Sequence, residues 1–187
     1  MFPTTRQESK NLALELIAFL KTEIEDTRHQ LEWSERNFSL LREFSNLKGA
    51  ESFPTAKGTT PQDKRAQFLW DFIAYVRDKG ILIAAESEHG LNIDGLKHDF
   101  EKLLYVRSPI KLLMCRMQRA DDDARVKDEL SKYMKSACST FSPGEVFILY
   151  FVWWAGDKDE NRDVAYYLQI EGESSHVALT VERFERI

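Results

Sequence analysis

Three carboxylates and one lysine between positions 71 and 102 have the types and spacing of a site that handles a metal ion. Asp71 lies in an apolar run, and fifteen residues later the apolar run ILIAA ends in Glu86-Ser87-Glu88. Side chains at i and i+2 of a strand lie on one face, so Glu86 and Glu88 would stand side by side. Two like charges held there repel unless a cation lies between them, and oxygen ligands suit Mg²⁺ or Mn²⁺.

A lysine follows these acids on the next predicted helix. Lys102 comes one turn after Asp99 and would point back towards the strand ends. A bound metal can activate water and neutralise charge on a phosphodiester, and a nearby lysine can position the water or stabilise the developing charge. We therefore expect Asp71 and Glu86 to be metal ligands, and Glu88 and Lys102 to be catalytic residues.

This chemistry requires a hairpin whose two strands bring the acids to one end of a sheet. Residues 66–77 are rich in aromatic and β-branched side chains, and the turn sequence RDKG precedes the apolar strand ILIAA. The same residues also have the spacing of a helix face, which would make Asp71 a surface acid. For Glu86 and Glu88, the alternative is a strand end that emerges into solvent. We predict the hairpin.

The remaining pattern predicts an α/β fold, with a mixed sheet flanked by helices and an N-terminal helical segment. Residues 7–47 read as two helices with a break near 28–34, and residues 48–62 as a loop with room for a short edge strand. Further elements follow the hairpin: a helix over 93–106, a strand over 110–117, a helix from 121, strands over 145–156 and 163–172, and a weak strand or helix over 176–184.

The acids and their flanking segments resemble the PD-(D/E)XK nuclease-like superfamily. The pattern is D-x14-E-x-E, carried by WDFIAY and AAESEHG, and HDFEKLL follows, an order similar to that of a set of uncharacterised bacterial proteins. The resemblance implies a restriction-endonuclease-like αβββαβ core over about residues 30–117. In that core, Asp71 matches the metal-binding acid of the second strand and Glu86 the acid of the third.

The sequence departs from the superfamily pattern at Glu88, where lysine is usual. Some members carry glutamate there, others move the lysine to the following helix, and Lys102 would be such a lysine. An acid on the first core helix often completes the metal site, a role for Glu35 or Glu43. The resemblance implies a Mg²⁺- or Mn²⁺-dependent endonuclease acting on DNA. Because the superfamily includes inactive members, a catalytically silent binding or interaction module is the alternative.

Length and composition are those of one soluble domain. The chain has 187 residues, of which 43% are hydrophobic and 30% charged. We expect a single domain over 1–187, with N-terminal helices over 1–48 and a nuclease-like core with C-terminal strands over 49–187. A net charge of −5 excludes a nucleic-acid-binding field over the whole surface. Cys115 and Cys138 lack metal-ligand spacing, and we expect free thiols.

The sequence also predicts where the protein works and with what. The N-terminus lacks the pattern of a signal peptide, and the longest apolar run, residues 146–155, is too short to span a bilayer as a helix. We expect a cytoplasmic protein with DNA and no membrane as partner. The N-terminal helices offer more apolar surface than one sheet layer needs, which predicts a homodimer formed through them.

Overall fold

Among the residues that it describes, the computed structural model contains four helices and seven strands. The structure describes residues 2–27, 33–54, 70–88, 93–117, 122–136, 142–153, 164–170 and 185–186. The helices are α1 (Arg6–Thr27), α2 (Trp33–Leu47), α3 (Ile93–Tyr105) and α4 (Asp122–Ser136). The strands are β1 (Glu51–Phe53), β2 (Phe72–Val76), β3 (Gly80–Glu88), β4 (Ile110–Met117), β5 (Val146–Trp153), β6 (Val164–Gln169) and β7 (Glu185–Arg186).

The described strands form one seven-stranded mixed sheet in which neighbours along the chain are also neighbours in the sheet. Strands β1, β2 and β3 are antiparallel, while β3, β4 and β5 run parallel to one another. Strands β6 and β7 continue the sheet in antiparallel pairing. Parallel neighbours need a crossover connection, and α3 and α4 lie in the two crossovers.

Helices cover both faces of the sheet, which explains why the central strands contain long apolar runs. In β4, Leu112 and Met114 belong to the core under α1 and α2. Leu113 and Cys115 alternate with them and belong to the core under α3 and α4. A strand that is covered on both faces reads as a continuous apolar run. The expected α/β fold, with a mixed sheet flanked by helices, is confirmed.

Helix α3 lies directly over β3 because one of its faces is apolar. Leu96, Phe100, Leu103 and Leu104 are buried at three- and four-residue spacing. Burying a side chain of this size contributes about 1.5–3 kcal/mol. The face that α3 presents to β3 also includes Lys102, in the last turn of the helix. This packing brings a cation from the helix to the strand below it.

The predicted hairpin is confirmed for the described residues. Strands β2 and β3 pair antiparallel, from Phe72 opposite Ala85 to Val76 opposite Gly80. The turn between them uses Asp78 at φ +63° and Gly80 at φ +107°, conformations that Asp and Gly adopt more readily than other residues. The helical alternative is therefore wrong for Phe72–Val76, and residues 55–69 lie outside the described ranges.

The N-terminal helices, the edge strand and the cysteines can also be compared with their predictions. The two N-terminal helices and the short edge strand, now β1, are confirmed. Cys115 is a free, buried thiol, while Cys138 and the predicted element over 176–184 lie outside the described residues. The apolar stripe of α1 packs on the sheet, and the homodimer stays a prediction. Within the described parts of the chain, none of the helices is long and apolar enough to cross a membrane.

A buried ion pair lies towards the other end of the parallel strands. Lys111, in β4, is fully buried, and its Nζ donates to Oε2 of Glu145 over 2.7 Å. The amide of Ser142 donates to the same carboxylate oxygen over 3.2 Å. Burial lowers the pKa of Lys111 and raises the pKa of Glu145, and the contact between them offsets part of both shifts. Two charges thus stay in the core because each satisfies the other.

Candidate functional site

Asp71 reaches the end of β3 with its side chain. Asp71 is the residue before β2, so the expectation that it lies within the strand is off by one position. Its Oδ2 accepts a hydrogen bond from the backbone amide of Ser87 over 3.0 Å. The backbone pairing between β2 and β3 stops at Phe72, opposite Ala85. The carboxylate of Asp71 continues the contact between the two chain segments just beyond that point. The result is an acid held beside Glu86.

Glu86 is the buried centre of this cluster. Its side chain is fully buried, and Oε2 accepts from Nζ of Lys102 over 2.7 Å. Among the described residues, no group donates a hydrogen bond to its other oxygen, Oε1. Burial, and then the charge of Asp71, raise the pKa of Glu86 to about 9, although Lys102 opposes the shift. The alternative of a strand end in solvent is wrong for Glu86.

Lys102 lies between two carboxylates from different elements. Its Nζ is 2.7 Å from Oε2 of Glu86 on β3 and 2.9 Å from Oδ1 of Asp99 on α3. Burial lowers the pKa of Lys102, but the hydrogen bonds of Asp99 and Glu86 together outweigh that effect and raise it above its usual value. The ammonium group therefore carries its charge at neutral pH and partly balances the acids around it.

A hydrogen-bonded connection runs from the site to the opposite face of the sheet. Ser87 donates its amide to Asp71, and its hydroxyl accepts from Nδ2 of Asn37 over 3.0 Å. Asn37 belongs to α2 and is fully buried. Its Oδ1 has no hydrogen-bond partner among the described residues. Helix α2 thus contributes to the cluster through an amide.

Trp70 joins the segment that carries Asp71 to the helix that carries Lys102. The indole Nε1 of Trp70 donates to the backbone carbonyl of Lys102 over 3.2 Å. That carbonyl lies in the last turn of α3, where helix carbonyls lack partners within the helix. The tryptophan ring also packs against the core under α3. This hydrogen bond therefore connects the residue next to Asp71 to the backbone of Lys102 itself.

Glu88 follows Glu86 at the end of β3 and is half-buried. It pairs in register with Cys115 of β4. Burial raises the pKa of the Cys115 thiol, and the charges of Glu88 and Asp99 raise it further. Glu88 and Asp99 therefore both lie near one buried thiol, which puts Glu88 at the edge of the cluster around Lys102.

Glu35 and Glu43 are exposed on α2. Burial lowers the pKa of Arg42, and the charge of Glu35 partly opposes that shift. The contacts of the described residues bring together Asp71, Glu86 and Lys102, and they do not include Glu35. Its role as a metal ligand stays a prediction.

The cluster can hold a metal ion only with help from outside the protein side chains. Among the described residues, no group of three or more Asp, Glu, His or Cys side chains is placed to hold one. Asp71 and Glu86 nevertheless offer hard oxygen atoms, and one of them, Oε1 of Glu86, is buried and has no hydrogen bond from any residue that the structure describes. Mg²⁺ commonly binds through one or two carboxylates and completes its shell with water and substrate phosphate. The donor set fits such an ion.

Sequence reasoning missed two members of this cluster. Asn37 is one of many polar residues in a helical pattern, and no local signal marks it as buried. Trp70 adjoins Asp71, but its bond to α3 depends on how the helix packs. Asp99 was recognisable, because residues three apart on a helix are neighbours and Lys102 follows at that spacing.

Comparisons with known proteins return nothing for this chain: no family model matches it, and neither does any curated protein or solved structure.

Proposed function

We propose that the protein is a metal-dependent phosphodiesterase of nuclease-like fold that acts on DNA. One observation carries the proposal: the buried carboxyl group of Glu86 lies beside a second acid, Asp71, and one of its oxygens has no hydrogen-bond partner in the described part of the chain. Holding a fully buried acid beside a partly buried one is unfavourable unless a cation compensates their charge or one of them stays protonated. Lys102 supplies one positive charge, and a divalent cation on the free oxygen of Glu86 would supply the rest.

The order of elements supports the nuclease-like core. From α2 to β4 the chain runs helix, three antiparallel strands, helix, and a strand parallel to the third. This is the αβββαβ order that the resemblance implies. The positions of the acids also support the proposal, with Asp71 directly before the second strand and Glu86 near the end of the third.

Each residue of the cluster then has a role. Asp71 and Glu86 would hold Mg²⁺ or Mn²⁺, which supplies polarisation of the phosphodiester and a more acidic bound water. Lys102 offers an ammonium group to the charge that develops on phosphate oxygens during transfer. Glu88, at the edge of the cluster, would assist with water, and Glu35 would complete the metal site.

A catalytically silent member of the same fold is the second candidate, acting as a binding or interaction module. Two observations favour it. Glu88 occupies the position where the superfamily usually has lysine, and the ammonium of Lys102 already contacts two carboxylates. In this case the Glu86–Lys102 contact would stabilise the fold without binding metal. The proposed homodimer through α1 and α2 belongs with this function, and light scattering of the full chain tests it.

Titration calorimetry with Mn²⁺ separates the two functions. The phosphodiesterase proposal expects one site of roughly micromolar to millimolar affinity, lost in Asp71→Asn and Glu86→Gln. Asp128→Asn, which changes an exposed acid on α4, serves as the matched control and should bind as the unchanged protein does. Absence of Mn²⁺ binding over that range would favour the silent module.

Cleavage assays test the reaction itself. Plasmid and oligonucleotide DNA are incubated with the protein and Mg²⁺ or Mn²⁺, with Asp71→Asn, Glu86→Gln and Asp128→Asn in parallel. We expect metal-dependent cleavage that only the first two substitutions abolish. Cleavage that survives in Asp71→Asn and Glu86→Gln would come from another site or a contaminant and would overturn the assignment.

A further inference from the structure

We propose that Asp99 is a positioning residue, which holds the ammonium group of Lys102 over Glu86 and leaves one of its protons for the substrate. The inference rests on the proposed function, because it gives Lys102 a substrate to contact. Its structural basis is the pair of contacts at Nζ, 2.9 Å to Oδ1 of Asp99 and 2.7 Å to Oε2 of Glu86.

The first step of the proposal depends on how many hydrogen-bond donors the ammonium group of Lys102 has. A lysine ammonium has three N–H donors and no acceptor. Asp99 and Glu86 take two of them, and no described residue is seen to take the third. Because 26% of the Lys102 side chain is exposed, an oxygen of a bound phosphodiester can approach that third proton.

Two carboxylates from two elements fix the ammonium better than one could. A lysine side chain is a flexible four-carbon stem that ends in a point charge. Glu86 alone would fix one contact and leave the group free to turn about it. Asp99 adds a second contact from α3 itself, so the position of Nζ depends on both the strand and the helix. The third N–H is then confined to a narrow range of directions.

Asp99 lies within the cluster rather than on the solvent side of α3. Only 16% of its side chain is exposed. Its charge contributes to raising the pKa of two buried groups, Glu86 and Cys115. An exposed pair at this helical spacing is screened by water and contributes little, whereas this pair borders a fully buried carboxyl group.

The test uses the full chain and three substitutions: Asp99→Asn, Asp99→Glu and, as the matched control on the same helix, Asp94→Asn, which changes an exposed acid. The first readout needs no activity. The ¹⁵N relaxation of the lysine ammonium groups, with the Lys102 signal assigned by Lys102→Arg, reports how ordered Nζ is. We expect an ordered group in the unchanged protein and in Asp94→Asn, a mobile one in Asp99→Asn, and partial recovery in Asp99→Glu.

The second readout is DNA cleavage with Mn²⁺. Asp99→Asn should lower kcat by about 10- to 100-fold. KM and the Kd for Mn²⁺ should stay within about twofold, because in this proposal Asp99 contacts neither the substrate nor the metal ion. If Asp99→Asn does not fold, Asp99→Glu carries the same comparison.

The outcomes separate this inference from the proposed function. An equally ordered Lys102 in Asp99→Asn, or an unchanged kcat, would overturn the positioning role. If the unchanged protein does not cleave DNA but Asp99→Asn still releases the ammonium group, the phosphodiesterase proposal fails while the hold of Asp99 on Lys102 is supported.

Discussion

The carboxyl group of Glu86 and the ammonium group of Lys102 meet at 2.7 Å across the interface between β3 and α3. Glu86 is fully buried and Lys102 is partly exposed, so the pair connects the interior of the protein to its surface. Asp71 and Asp99 add two further acids around them. This arrangement couples the protonation of Glu86 to the packing of α3 on β3.

Glu86→Gln should flatten the dependence of stability on pH. Burial raises the pKa of Glu86 from 4.5 to about 9, so between these values the folded state binds a proton that the unfolded state releases. Stability from this group is complete below about pH 4.5 and is lost as the pH rises through about 9. The pKa of Lys102 is raised above its usual value, so its contribution to stability is constant below about pH 10 and is lost only above that, outside the range tested. Urea denaturation at pH 5, 7 and 9 measures the slope.

The control for this experiment is Asp128→Asn, which removes the charge of an exposed acid on α4. It should keep the decrease in the free energy of unfolding that the unchanged protein has between pH 5 and pH 9. An identical decrease in Glu86→Gln would mean that Glu86 titrates normally in the folded protein.

Ser87→Ala should destabilise the protein through Asn37. The substitution removes the hydroxyl that accepts from Nδ2 of Asn37, and an unsatisfied buried donor costs about 1–3 kcal/mol. Asn37→Leu together with Ser87→Ala removes both partners and should recover part of that loss. The free energy of unfolding in urea measures both effects. A double variant less stable than the sum of the single ones would contradict this account.

Trp70→Phe tests the contact between the Asp71 segment and α3. Phenylalanine keeps an aromatic ring in the core but cannot donate to the carbonyl of Lys102. We expect a loss of about 0.5–1.5 kcal/mol of stability and a decrease in Mn²⁺-dependent cleavage. Tyr105→Phe, at an exposed position of the same helix, is the control. Normal stability and cleavage in Trp70→Phe would show that the indole bond has no influence on the site.

Lys111→Met should destabilise the fold strongly without affecting metal binding. It leaves Glu145 buried without its cation, and breaking a buried pair on one side costs about 3–5 kcal/mol. Adding Glu145→Gln removes the uncompensated charge, so the double variant should regain much of the loss. Chemical denaturation and Mn²⁺ calorimetry on the same samples provide the two readouts. A single variant as stable as the unchanged protein would show that Glu145 is neutral in the fold.

The parts of the fold that the sequence predicts are those with a strong local pattern. The run IKLLMCRM became β4 with the predicted bounds, and the turn at Asp78 to Gly80 made the hairpin recognisable. The position of Asp71 was missed by one residue, because its side chain, rather than its backbone, contacts Ser87. A side-chain hydrogen bond that takes the place of backbone pairing depends on where the two strands stop pairing, and no local sequence pattern indicates that point.

The sequence pattern singles out Asp71, Glu86 and Lys102, which the fold brings together, but it does not indicate the contacts that support them. Glu86 and Lys102 are sixteen positions apart, and the helical period of α3 brings Lys102 to the face that packs on β3. The bond from Asn37 to Ser87 spans fifty positions and crosses from α2 to the sheet. Contacts of that kind follow from tertiary packing, and only the folded chain reveals them.

The sequential order of the sheet has a consequence for how the protein is made. Each described strand after β1 pairs with the one before it in the chain, so a chain leaving the ribosome can add its strands one after another. All residues of the cluster described above, from Asn37 to Lys102, precede β4 in the chain. During synthesis, the hairpin and α3 can therefore bring Glu86 and Lys102 together before the second half of the sheet exists, and the later strands enclose a contact that has already formed.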